Sequence, residues 1–96
     1  MNKNKKYNPS IHDCVYMIMK HGHWWTTYEL RERILHAFKK SYDETGLSAA
    51  MRDMRKLPFR EKYRLDLTGE VLEKKRNVTG KGYRYKLIIS EVNDAR

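Results

Sequence analysis

Between Leu47 and Leu57 the apolar residues Leu47, Ala50, Met51, Met54 and Leu57 recur at i, i+3, i+4, i+7 and i+10, the spacing of one helix face. Residues three or four apart share a side of a helix, so the opposite face presents Ser48, Ala49, Arg52, Arg55 and Lys56. Arg52 is the first choice for a base contact, because a guanidinium bonds both acceptors on a guanine edge. Ser48 and Ala49 are small enough to let that edge approach. Asp53 is placed to hold a neighbouring arginine by a charge-assisted bond. A solvated helix with its cations near the C-terminal dipole end would explain the same residues, so this helix alone decides nothing.

A second group of cations strengthens the reading. Lys74, Lys75, Arg76, Lys81, Arg84 and Lys86 accumulate with no acid between Lys74 and Lys86, around two glycines in Asn77-Val78-Thr79-Gly80-Lys81-Gly82 that permit a hairpin loop. Such a loop concentrates positive field for phosphates, and each phosphate neutralised steepens the salt dependence of binding by about 0.9 units of log–log slope. The hairpin is therefore expected to dominate affinity while the helix sets sequence preference. Edge protection by lysines is the plainer explanation of the same pattern. Lys3, Lys5 and Lys6 offer a third contact from a basic arm. Asp43 and Glu44 count against a phosphate partner, since they precede the helix N-terminus, where an anion would otherwise be welcome. They are expected either to cap the helix and face away from a groove, or to limit which DNA geometry is accepted.

Other chemistries find no support. His12, His21, His23 and His36 have only Cys14 as a thiolate partner, on a helix face that reads as buried, so no metal site is expected. Gly80-Lys81-Gly82 lacks the glycine spacing, the following Ser or Thr and the helix of a phosphate-binding loop. No nucleophile is fixed beside a base, so neither a catalytic residue, a cofactor nor a small-molecule substrate is expected, and the chain is read as a non-enzyme. Trp24, Trp25, Tyr28 and Tyr83 suit base stacking in principle, but core packing is the stronger expectation.

The elements that must hold these groups follow from periodicity and caps. Ser10 with Asp13 forms a capping box before Ile11, Cys14, Val15, Ile18 and Met19, a first helix closed by Gly22. His23 to Thr26 reads as a short extended piece. Thr26 with Glu29 opens a second helix, from about Thr27 to Lys40, with Leu30, Ile34, Leu35, Ala37 and Phe38 as its apolar stripe. The third helix is expected to end at Pro58. Val71 to Arg76 pairs with a strand in which Tyr83, Tyr85, Leu87 and Ile89 alternate with Arg84, Lys86 and Ile88. Between them, Tyr63, Leu65 and Leu67 alternate like a further strand, although Arg60-Glu61-Lys62 equally continues a helical turn.

The chain has 96 residues, enough for one domain, divided here into an arm (1–9), a folded region (10–89) and a tail (90–96). Lys and Arg exceed Asp and Glu by 21 to 12, a net charge of +9 that suits a polyanion, with nucleic acid ahead of an anionic membrane. No stretch is apolar enough to span a bilayer, and residues 1–8 lack the apolar core of a secretory leader, so a cytoplasmic protein is expected.

Helix, extended piece, helix, helix and basic hairpin in that order resemble a winged helix-turn-helix domain. Leu47-Ser48-Ala49-Ala50-Met51-Arg52-Asp53-Met54-Arg55-Lys56, with the later Gly82-Tyr83-Arg84-Tyr85-Lys86-Leu87, is similar to the recognition helix and closing aromatic strand of small winged-helix proteins of bacteriophages and prophages. The resemblance spans about residues 10 to 89. It implies an α+β fold of three helices, a short first strand and a C-terminal hairpin wing. It also implies double-stranded DNA as partner, with the third helix in the major groove and the wing on the backbone or minor groove, in a phage-type or bacterial transcriptional regulator. A homodimer or partner protein, docked through the first helix or Ser90 to Arg96, would enlarge the footprint. A winged-helix protein-interaction module and a non-specific nucleic-acid binder in replication, recombination or packaging are the rival expectations.

Overall fold

The computed structural model describes residues 8–89. Within them the chain forms four helices and one antiparallel hairpin, an α+β arrangement: α1 (Ile11–Met19), α2 (Thr27–Phe38), α3 (Glu44–Asp53), α4 (Leu57–Lys62), β1 (Leu72–Arg76) and β2 (Tyr83–Leu87). The arm lysines Lys3, Lys5 and Lys6 and the tail from Ser90 lie outside the described residues.

Local signals set the starts of the first two helices. Ser10 Oγ accepts from the Asp13 N–H while Asp13 Oδ2 accepts from the Ser10 N–H, and Thr26 and Glu29 make the same reciprocal pair. Asp43 caps α3, its Oδ1 accepting from the Gly46 N–H at 2.7 Å. Gly22 turns the chain after α1 at φ 82°, a conformation glycine adopts without penalty. Pro9 is buried and Asn8 accepts a hydrogen bond from Lys40 Nζ at 2.7 Å, so the packed region begins before the boundary expected after Pro9.

α1, α2 and α3 pack against one another around one core. Cys14, Val15 and Met19 meet Leu30 and Ile34, and Leu47, Met51 and Met54 close the third side, with Leu65, Val71, Leu72 and Leu87 sealing the base. Burying side chains of this size stabilises the fold by roughly 1.5–3 kcal/mol each before conformational entropy is counted. Burial holds the Cys14 thiol pKa above its usual value. Leu35 and Ala37 are exposed, because the inward stripe of α2 follows the narrow i, i+4, i+8 row of Leu30, Ile34 and Phe38.

Three helices were expected, and a fourth is present. α3 stops at Asp53, five positions before Pro58, and Pro58 sits in the first turn of α4, where its missing N–H costs nothing. Leu57 therefore leaves the α3 stripe and is 53% exposed. The ambiguous segment resolves as helix up to Lys62, and Leu67 stands exposed rather than in a strand. The short first strand is reduced to one bridge, Trp25 with Tyr85, in which both N–H groups donate to the opposite carbonyl at 2.8 and 2.7 Å.

Candidate functional site

Register sorts the hairpin's cations onto two faces. Pairs of residues directly opposite in an antiparallel ladder point the same way, and neighbours along a strand point oppositely. Lys74 faces Tyr85 and Arg76 faces Tyr83, so these four share one face, whereas Lys75 with Arg84 and Glu73 with Lys86 occupy the other. The loop closes through the Asn77 N–H on Gly82 O at 3.0 Å, with Gly82 at φ 83°, and carries Val78 at its tip, 91% exposed.

The Tyr83 face meets α3. Ser48, Arg52, Thr45 and Glu44 of α3, with Thr27 of α2, line a cleft of about 310 Å³ whose other wall is Gly82, Tyr83 and Tyr85 of the hairpin. Lys74 Nζ stands 4.5 Å and the Arg76 guanidinium carbon 5.7 Å from the centre of the Tyr83 ring. Such cation–π contacts hold the charges against the Tyr83 ring without neutralising them, although neither side chain is part of the cleft lining and Lys74 borders the hollow around Arg55. Lys81 lines an adjoining hollow with Thr27, Glu44, Asn77 and Tyr83. Arg52 is exposed, and its Nη1 donates to Ser48 Oγ at 3.0 Å, a bond within its own helix that orients the guanidinium along the cleft wall.

The other predicted residues stand elsewhere. Arg55 lies past the end of α3, where Nε donates to Glu70 Oε1 at 2.9 Å and Nη2 reaches Leu72 O at 3.5 Å. It faces Trp24, Glu73 and Lys74 around the edge of β1, outside the cleft. Lys56 is the N-cap of α4 and pairs with Asp53 at 3.1 Å. Ala49 is half-buried on α3 and is not part of the cleft wall. Asp53 does not hold an arginine: it takes His12 Nε2 at 2.9 Å and Lys56, and these two bonds keep its carboxyl below the ordinary range.

On the far ladder face Lys75 and Lys86 converge on Trp24, at 4.3 and 5.4 Å from the ring centre. Arg84 reaches Glu29 at 3.5 Å and Asn77 at 3.2 Å. Trp25 packs on the core, as expected, and its buried indole N–H has no hydrogen-bond partner among the described residues. Trp24 serves instead as a platform for two lysines.

Of the two acids expected to cap α3 and face away from a groove, or else to limit the DNA geometry accepted, Asp43 is the cap and Glu44 is not turned away. Sequence alone assigns no role to Arg60 or Glu70. Glu44 is in the cleft, with Oε1 accepting from Thr27 Oγ1 at 2.8 Å. It lies four residues before Ser48 and eight before Arg52, and that spacing was available to read. Arg60 was not legible as a clamp: its guanidinium donates to Arg55 O at 2.6 Å, Asp66 O at 3.0 Å and Gly69 O at 2.8 Å. Glu70, held below its ordinary pKa first by Arg55, also accepts the N–H groups of Val71 and Leu72.

Among the described residues no three His, Cys, Asp or Glu side chains gather closely enough to hold a metal ion. No helix among them is long and apolar enough to cross a membrane. Searches against family models, curated proteins and solved structures find no match for this chain.

Proposed function

We propose that this chain is a winged helix-turn-helix protein that binds double-stranded DNA, with α3 in the major groove and the β1–β2 hairpin as a wing on the backbone or minor groove. The observation that carries the reading is the common cleft: Ser48 and Arg52 of α3 line it opposite Tyr83, and Lys74 and Arg76 flank Tyr83. A guanidinium at the cleft wall suits a guanine edge, and cations beside it suit the phosphates that flank that edge. Lys81, in the adjoining hollow, extends the phosphate-facing surface toward the loop tip. A net charge of +9 supplies the long-range attraction. The resemblance of residues 47–56 and 82–87 to small phage winged-helix proteins supports a phage-type or bacterial transcriptional regulator as the role.

Selection of bound duplexes from a random pool, at near-physiological salt, tests the reading. An enriched motif is the expected result. Binding without a motif would favour a non-specific nucleic-acid protein, and the absence of duplex binding would overturn the proposal.

A further inference from the structure

Glu44, Ser48 and Arg52 are separated by four residues each along α3, which places them in one row on one side of that helix. All three line the same cleft. The carboxylate is the unexpected member, since an acid beside phosphates weakens binding unless it earns a partner of its own. It is also oriented: Thr27 Oγ1, in the first turn of α2, donates to Glu44 Oε1 at 2.8 Å, while the side chain as a whole stays exposed. That single bond leaves further lone pairs on a group that only accepts hydrogen bonds.

We infer that Glu44 is a specificity-determining residue that accepts a hydrogen bond from the exocyclic amine of a cytosine, an inference that rests on the duplex-binding reading above. Major-groove chemistry selects the base. Cytosine presents an amine donor with no acceptor beside it on its own edge, whereas adenine sets the N7 acceptor next to its amine and would repel the second carboxylate oxygen. Guanine and thymine offer that edge only acceptors and, for thymine, a methyl group. The eight-residue separation from Arg52 amounts to about 12 Å of helix rise, so the cytosine is expected on the order of three to four base pairs from the guanine that Arg52 contacts. Glu44 also disfavours a duplex seated with a phosphate at this point, which penalises wrong registers.

Selection from the random duplex pool with the wild type, Glu44→Gln and Glu44→Ala tests this directly. The wild type should enrich a motif with a fixed cytosine. Glu44→Gln should convert preference at that one position to adenine, because an amide bonds both adenine groups. Glu44→Ala should erase about 10- to 100-fold of discrimination there. Both variants should bind random duplex more tightly than the wild type, having lost a repelling charge. Glu44→Gln keeps the shape and an acceptor for Thr27, and a thermal melt confirms that each variant is folded. A wild-type motif left unchanged at every position in both variants would overturn the role of Glu44 while sparing the duplex-binding reading. A wild type that enriches no motif overturns the role of Glu44, whether or not it binds duplex, and failure to bind duplex at all removes the duplex-binding reading as well.

Discussion

The outer row of α3 and the segment from Arg55 to Leu72 are both rich in charge, yet they hold it differently. In the segment, Arg60 bonds three backbone carbonyls, and Arg55 and Glu70 bond each other and the backbone around the start of β1. The irregular backbone on either side of α4 leaves peptide groups unpaired, and these side chains satisfy several of them. The outer row of α3 belongs to a helix that satisfies its own backbone. There Arg52 bonds only Ser48 among the described residues, and Glu44 bonds only Thr27. The charges of Arg55, Arg60 and Glu70 are consumed by the fold, whereas those of Arg52 and Glu44 on the outer row of α3 are open to a ligand. Residue type alone does not separate them, since Arg52, Arg55 and Arg60 lie within nine positions of one another.

The largest test of that contrast is Arg60→Ala. Losing three bonds to carbonyls of residues 55, 66 and 69 should cost about 2 kcal/mol after allowance for solvent, and lower the thermal midpoint by roughly 10 °C. An unchanged midpoint would mean that the segment is held by its apolar contacts alone.

A smaller effect is expected where α4 is tied to α1. Burial pushes the Asp13 carboxyl upward, but hydrogen bonds from Tyr63 Oη at 2.5 Å, from the Ser10 N–H and from Lys62 outweigh it and lower the pKa to about 2. A carboxyl whose folded pKa lies below its unfolded one stabilises the fold above the unfolded value, and that stability is lost as pH falls through the folded value. Asp13 should therefore contribute about 1–2 kcal/mol at neutral pH that disappears between about pH 4 and pH 2. Denaturant melts across that window should show the loss in the wild type and a flatter profile in Asp13→Asn.

The smallest stability change belongs to the outer row. Arg52→Ala should leave the midpoint nearly unmoved, within about 0.5 kcal/mol, because the fold makes no use of the guanidinium beyond its own helix. A loss as large as that of Arg60→Ala would erase the distinction between the two regions.

How much of this was legible depended on the range over which each signal acts. The caps at Ser10, Thr26 and Asp43 involve residues three apart, and they were readable because both partners are fixed by one helical turn. The hairpin was readable because alternation and paired glycines are local too. Pro58 was misread because proline both disfavours a helical residue before it and favours the first turn of a new helix, and only packing chooses between these. His12 with Asp53 and Arg60 with Gly69 are contacts whose meaning exists only after folding. The division of the hairpin's cations was legible within each strand, since alternation separates Lys74 and Arg76 from Lys75 and sets Arg84 and Lys86 away from Tyr83 and Tyr85, but the register that joins the two strands' faces came only with the fold. The side that would meet α3 was not legible, because that depends on how Tyr85 pairs with Trp25.

The slope of log binding constant against log salt, for the wild type and for a variant carrying both Lys74→Ala and Arg76→Ala, bears most directly on the joint use of α3 and the hairpin. The account predicts steep linear weakening in the wild type and a slope shallower by about 1.8 units in the variant, as two phosphate contacts are lost. Equal slopes in the two proteins would contradict it.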